Sequence, residues 1–112
     1  MKTNTAELEG FHLALAALER SPEIPESADV YGWLIGSWEL DVLHYVVDVH
    51  ARGLKAEAHF ARVLEGRAVQ DVWIMPRCNE RRPDSDRTMN MYGTTLRTWD
   101  AATHRGWLSL AR

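Results

Sequence analysis

Residues 55–75, KAEAHFARVLEGRAVQDVWIM, carry the clearest structural signal in the sequence. On both sides of Glu65-Gly66 the residue pattern has the period of two that is typical of β-strands. Glycine readily adopts the positive φ that short hairpin turns need. The stretch therefore predicts an antiparallel hairpin with strands at 55–64 and 67–75.

Further elements are predicted on both sides of this hairpin. Residues 38–49, 91–99 and 106–110 have strand patterns, and residues 5–20 have the apolar spacing of a helix. The apolar stripe of that helix consists of Leu8, Phe11, Leu15 and Leu18. Because an isolated helix of this length is marginal in water, the stripe is expected to dock on the sheet.

The expected fold class is mainly β, in a single domain over residues 1–112. An N-terminal helix at 5–20 precedes an antiparallel meander of about five strands at 37–112. Neither face of strands 55–64 and 67–75 is purely apolar. A sheet with one face in water would alternate more cleanly, so the pattern favours a sheet covered on both faces or a barrel with a partly polar interior.

Composition narrows the functional classes. The chain has 112 residues, a net charge of −3 and one cysteine, Cys78. The acidic balance argues against a nucleic-acid partner, and no apolar run approaches the roughly 18 residues of a membrane span. A single thiol excludes an internal disulfide and suits a reducing cytoplasm. Dinucleotide and phosphate-loop motifs are absent, so no cofactor is predicted.

Three patches in order along the chain resemble a known family. They are Gly36-Ser37-Trp38, residues 63–73 (VLEGRAVQDVW) and residues 92–97 (YGTTLR), with Trp107 beyond them. Together they are similar to the lipocalin-like (calycin) barrels of a bacterial family of unknown function, the DUF1579-type proteins. The resemblance covers about residues 30–110. It implies a small antiparallel barrel whose cavity holds an apolar or amphipathic molecule, with Trp38 in a structural role at the barrel floor.

One feature departs from that family pattern. A closed barrel needs about eight strands to leave a usable interior, whereas about five are predicted here. The chain is therefore interpreted as a partial barrel, truncated relative to a full one. Three resolutions remain open: the helix covers the open side, the chain is a fragment, or two chains pair into a homodimer. Pairing is favoured because the apolar final strand, with Leu108, would otherwise be an open edge.

Polar residues on the central strands are the candidates for ligand contacts, since burying them without partners is costly. The predicted ligand-binding residues are His59, Gln70, Trp73, Thr95 and Arg97. Asp71 and Arg97 are either a buried charge pair or exterior rungs of a cross-strand ladder. The first functional hypothesis is therefore binding of a small apolar or aromatic molecule in a cavity on which these side chains converge.

Two other functions are kept as alternatives. A small barrel enzyme of the cyclase or isomerase kind would use His59 or Glu57 as its acid/base group and Arg97 to stabilise negative charge. A structural oligomerisation module is the other. No metal site is predicted, because His44 and Asp48 lie roughly 13 Å apart along their strand and so cannot share an ion.

Overall fold

The computed structural model describes residues 5–41, 55–81, 83, 90–100 and 106–111, without the side chains of residues 5–8, 110 and 111. It contains one α-helix, six strands and three short 3₁₀ turns. The helix and strands are α1 (Thr5–Leu15), β1 (Ala16–Ala17), β2 (Gly36–Asp41), β3 (Lys55–Val63), β4 (Ala68–Met75), β5 (Met91–Asp100) and β6 (Gly106–Ala111).

All six strands belong to one antiparallel sheet. Its order is β1-β3-β4-β5-β6, and β2 pairs with the free side of β3 next to β1. The prediction of a mainly β fold with an N-terminal helix and a meander is confirmed. The sheet is open: over the described residues, β6 does not pair with β1 or β2. The structure has principal extents of 47 × 39 × 20 Å, and its described strands do not close into a barrel.

The predicted hairpin forms between β3 and β4. Its turn contains three consecutive residues with positive φ: Leu64 (54°), Glu65 (59°) and Gly66 (81°). A Cβ atom at Gly66 would lie 2.1 Å from the carbonyl oxygen of Glu19, so only glycine fits this position. The turn is therefore fixed both by its own backbone conformation and by the N-terminal segment packed against it.

The observed strand boundaries lie within one residue of the predicted ones for β3 to β6. They differ for β2, and β1 is an additional strand. β2 begins at Gly36, and residues 42–49 of the predicted strand 38–49 lie outside the described residues. The two-residue strand β1 was not predicted. It pairs with Val63 and Arg62 at the end of β3.

The prediction of a docked helix over residues 5–20 is wrong. The helix ends at Leu15, where the chain turns into β1 and gains hydrogen bonds from the sheet edge. Phe11 is 62% exposed, Leu18 is 99% exposed, and Leu15 is only half-buried. The side chain of Leu8 lies outside the described residues. The stripe has a regular apolar spacing, but the described part of the sheet does not bury Phe11 or Leu18.

A different segment covers part of the sheet. Residues 21–35, called the crossing segment, form turns and two 3₁₀ helices and lead into β2 at Gly36. The Trp107 indole donates a hydrogen bond to the Ala28 carbonyl (2.8 Å), and Arg62 makes a two-bond ion pair with Asp29 (3.1 and 3.0 Å). Ile24, at 1% exposure, is the most completely buried apolar side chain of the segment.

The described part of the chain contains no helix whose length and apolarity would allow it to cross a membrane.

Burial predicts the stability effects of two substitutions. Ile24→Ala is expected to lower the free energy of unfolding by about 2–5 kcal/mol, because it leaves a cavity in the core. Phe11→Ala is the control: a surface substitution is expected to stay within about 0.5 kcal/mol. Urea denaturation followed by circular dichroism measures both. A loss for Phe11→Ala as large as that for Ile24→Ala would contradict the exposed position of α1.

Candidate functional site

The register of the sheet decides which side chains share a face, because cross-strand partners point to the same side. The first face carries mostly aromatic and aliphatic residues and is called the aromatic face. Its members include Trp38, Phe60, Asp71, Trp73, Thr95 and Arg97. The opposite one is called the polar face. Its members include Ser37, Glu57, His59, Gln70 and Thr94.

The five predicted ligand-binding residues do not converge on one cavity. Trp73, Thr95 and Arg97 lie on the aromatic face, whereas His59 and Gln70 lie on the polar face. The expected convergence is therefore wrong. Its physical reason is the two-residue period: His59 is paired with Val72, one position from Trp73, and that single step reverses the direction of the side chain.

The aromatic face contains an open cavity of about 410 Å³. Its walls are mainly apolar, and they come from the crossing segment and from four neighbouring strands. The lining residues are Trp33, Leu34, Trp38, Leu40, Ala58, Phe60, Asp71, Trp73 and Thr95. At the mouth, Trp33 is 72% exposed and contacts Trp38 edge to face, with ring centroids 6.2 Å apart.

Trp38 does not close a barrel floor, the role that the family resemblance implies. Its indole donates a hydrogen bond to the Leu34 carbonyl (2.7 Å), which ties β2 to the last turn of the crossing segment. The side chain is 40% exposed and lines the cavity. The open sheet leaves no floor to close, so Trp38 forms part of a wall.

The position of the Trp73 ring depends on a glycine on the neighbouring strand β5. Gly93 is its cross-strand partner, and a Cβ atom there would lie 1.8 Å from the Trp73 indole nitrogen. The ring therefore lies directly over the Gly93 backbone. Any larger residue at position 93 would push Trp73 away from the cavity wall.

One residue of the cavity wall, Asp71, belongs to a largely buried ion pair. Arg97 donates a hydrogen bond to the Asp71 carboxylate (2.7 Å), and Asp71 is only 5% exposed. The guanidinium lies 5.2 Å from the Tyr31 ring centroid and 5.8 Å from that of Phe60. Of the two interpretations of Asp71 and Arg97, the structure shows the buried pair. Two aromatic rings partly replace the water that the cation loses.

Gln70 and Thr94 bond to each other on the polar face. The Gln70 amide donates to the Thr94 hydroxyl (3.0 Å), and that hydroxyl donates to the Asp71 carbonyl (2.7 Å). Gln70 is therefore engaged in holding β4 against β5.

A second polar cluster lies at the other end of this face. The Ser37 hydroxyl is 2.8 Å from His59 Nδ1, and His59 Nε2 is 3.2 Å from Glu57 Oε2. The backbone N–H of Cys78 donates to Glu57 Oε1 (3.0 Å). Sequence reasoning named His59 and Glu57 but missed Ser37. Its only signal in the sequence is the Gly36-Ser37-Trp38 patch, which indicates the family resemblance and not a polar cluster.

The cluster shifts the pKa values of two of its groups. Hydrogen bonds from Cys78 lower the pKa of Glu57, so its carboxylate stays ionised over a wider pH range. The same contact raises the pKa of the Cys78 thiol, since an adjacent carboxylate disfavours a thiolate.

No group of three or more His, Cys, Asp or Glu side chains in the described ranges is arranged to hold a metal ion. His44 and Asp48, which were considered as possible ligands from the sequence, lie outside those ranges.

No family model, curated protein or solved structure matches this chain. The lipocalin-like resemblance and the function that it implies therefore stay predictions.

The buried ion pair gives a stability prediction. Arg97→Met is expected to lower the free energy of unfolding by about 3–5 kcal/mol, because the Asp71 carboxylate would be left buried and unpaired. Arg67→Met is the matched control. Arg67 pairs with Glu23 where both side chains are more than half exposed, and such pairs contribute at most about 1 kcal/mol. Equal losses in urea denaturation would contradict the burial of the Asp71–Arg97 pair.

Proposed function

We propose that this protein binds a small apolar or aromatic molecule in the cavity of the aromatic face. One observation carries the proposal: four aromatic side chains form a cavity that has a buried carboxylate in its wall. Its volume, about 410 Å³, lies within the range of small-molecule sites, which are mostly apolar with a few polar groups.

The polar wall narrows the class of ligand. The Asp71 carboxylate and the Thr95 hydroxyl line the cavity, and a carboxylate only accepts hydrogen bonds. A flat ligand with a hydroxyl or amine group at one end would place its apolar part between Trp33, Trp38 and Phe60. Binding would also cover Trp33 and Leu40, which are exposed at the mouth.

The polar face offers a weaker alternative. A depression of about 480 Å³ lies around Val72, Ile74 and Tyr92. It has no buried charged group in its wall, and Tyr92 is already engaged by Arg81, whose Nη1 donates to the phenol oxygen (2.9 Å). The aromatic face is therefore the better ligand site.

The lipocalin-like resemblance agrees with this proposal in ligand class. We propose that the chain is related to the lipocalin-like family. In this chain, an open sheet with the crossing segment over part of one face would replace the closed barrel. A reducing cytoplasm as the working compartment is part of the same proposal, and the exposed free thiol of Cys78 supports it.

A neutral fluorophore, N-phenyl-1-naphthylamine, tests the binding site. Leu40→Lys is expected to weaken its binding by about tenfold, because the variant places a charge at the cavity mouth. Val72→Lys is the matched control: Val72 is 41% exposed and Leu40 is 37% exposed, but Val72 lies on the polar face. Fluorescence titration measures both. An equal loss in both variants, or no binding by the unchanged protein, would contradict the proposal.

Self-association is a second candidate function, and the edge strand favours it. Within the described residues β6 pairs only with β5, and its Leu108 is 42% exposed. Unpaired backbone groups on such an edge can pair with the same edge of a second chain. We propose a symmetric homodimer through β6 as this association.

Sedimentation velocity at high micromolar concentration tests the homodimer. Leu108→Lys is expected to shift the protein from dimer to monomer, since lysine on an edge strand opposes edge-to-edge pairing. Val72→Lys again serves as the control, because Val72 has similar exposure on the same face but lies on a central strand. A stable monomer for the unchanged chain would overturn the dimer and leave ligand binding unaffected.

A further inference from the structure

The cluster of Ser37, His59 and Glu57 has the connectivity of a nucleophile, a base and an orienting acid. Ser37 and His59 are cross-strand partners on β2 and β3, and Glu57 precedes His59 by two residues on the same face. The register of one strand pair therefore brings all three side chains together. Ser37 is exposed and His59 partly so, which leaves the hydroxyl accessible to a substrate.

The hydrogen bond to Glu57 selects the tautomer of the neutral His59 ring that this chemistry needs. A carboxylate can only accept, so the bond to Glu57 requires a proton on His59 Nε2. In the neutral ring Nδ1 is then an acceptor, and it faces the Ser37 hydroxyl at 2.8 Å. This distance lies within the range in which a base takes a proton from a nucleophile.

We propose that Ser37 is the nucleophile of an acyl-transfer site that hydrolyses small carboxylic esters, with His59 as general base and Glu57 as a positioning residue. The site is a pocket of about 380 Å³ on the polar face, lined also by Arg77, Cys78 and Asn79. Asn79 lines the same pocket, and its side-chain amide is assigned as the donor to the oxyanion. The ligand cavity lies on the opposite face, and Trp38 is the residue that lines both pockets.

The neighbouring thiol does not compete with Ser37 as nucleophile. Cys78 contacts the Glu57 carboxylate, and this contact keeps the sulfur protonated to higher pH than usual. A thiol is a much weaker nucleophile than a thiolate. The imidazole, moreover, is hydrogen-bonded to the hydroxyl of Ser37.

The reaction balances with water as the only co-reactant. Ser37 Oγ bonds to the ester carbonyl carbon while its proton moves to His59 Nδ1. The bond from that carbon to the alkoxy oxygen then breaks, and the alcohol leaves with the proton from His59. A water molecule gives a proton to Nδ1 and attacks the acyl-serine. Collapse of this adduct returns the proton to Ser37 Oγ and releases a carboxylic acid.

Covalent labelling with a fluorophosphonate, located by peptide mass spectrometry, tests the site. The label is expected on Ser37 and is expected to disappear in Ser37→Ala. His59→Gln is expected to slow labelling by about a hundredfold, the usual contribution of a general base. Hydrolysis of p-nitrophenyl acetate is expected to fall in the same variants, with an intermediate loss for Glu57→Gln.

Two variants serve as controls for surface reactivity. Ser109→Ala removes another exposed strand serine, and His12→Gln removes an exposed histidine of α1; both are expected to leave labelling and hydrolysis unchanged. Circular dichroism confirms that each variant is folded, and binding of the neutral fluorophore is expected to persist in Ser37→Ala. Absence of label on Ser37, or unchanged hydrolysis in a folded Ser37→Ala protein, would overturn the proposal.

Discussion

The register between β3 and β4 determines which side chains meet on each face of the sheet. It is set by the turn at residues 64–67, where three successive residues adopt left-handed backbone conformations. Gly66 allows this turn to approach the backbone around Glu19 and Ser21 closely, and the Ser21 N–H donates to the Gly66 carbonyl (3.0 Å). A slip of one residue would exchange the two faces of β4 relative to β3 and separate Asp71 from Phe60.

The crossing segment depends on this register, because its polar contacts reach residues of the aromatic face. Asp29 binds Arg62 on β3, Ala28 accepts from Trp107 on β6, and Tyr31 lies over Arg97 on β5. These contacts reach three strands of the sheet and hold the segment over one end of the face. The other end stays open, and this is where the cavity lies between Trp33 and Trp73.

The two faces of the sheet hold their charged groups in different surroundings. On the aromatic face, charge is buried as a pair, so Asp71 and Arg97 stabilise each other where water is largely excluded. On the polar face, charged and hydroxyl groups lie near solvent: Ser37 is exposed, and the His59 side chain is partly exposed. Strands β2 and β3 contribute to both faces, and one sheet therefore presents an apolar cavity on one side and the hydrogen-bonded Ser37, His59 and Glu57 cluster on the other.

A period of two and a turn glycine are local properties of the chain, so strands β3 to β6 and the hairpin could be predicted without the structure, whereas the two-residue β1 could not. Alternation within β4 also separates Gln70 from Trp73, so the predicted convergence of these two residues already conflicted with the strand period. The sequence could not match the faces of different strands, because matching them requires the register. The pairing of His59 with Ser37 and its separation from Trp73 follow from the register, which exists only in the folded sheet. Docking was likewise a tertiary matter: Phe11 and Leu18 are exposed, whereas residues 21–35 are held on the aromatic face by long-range contacts that no local pattern records.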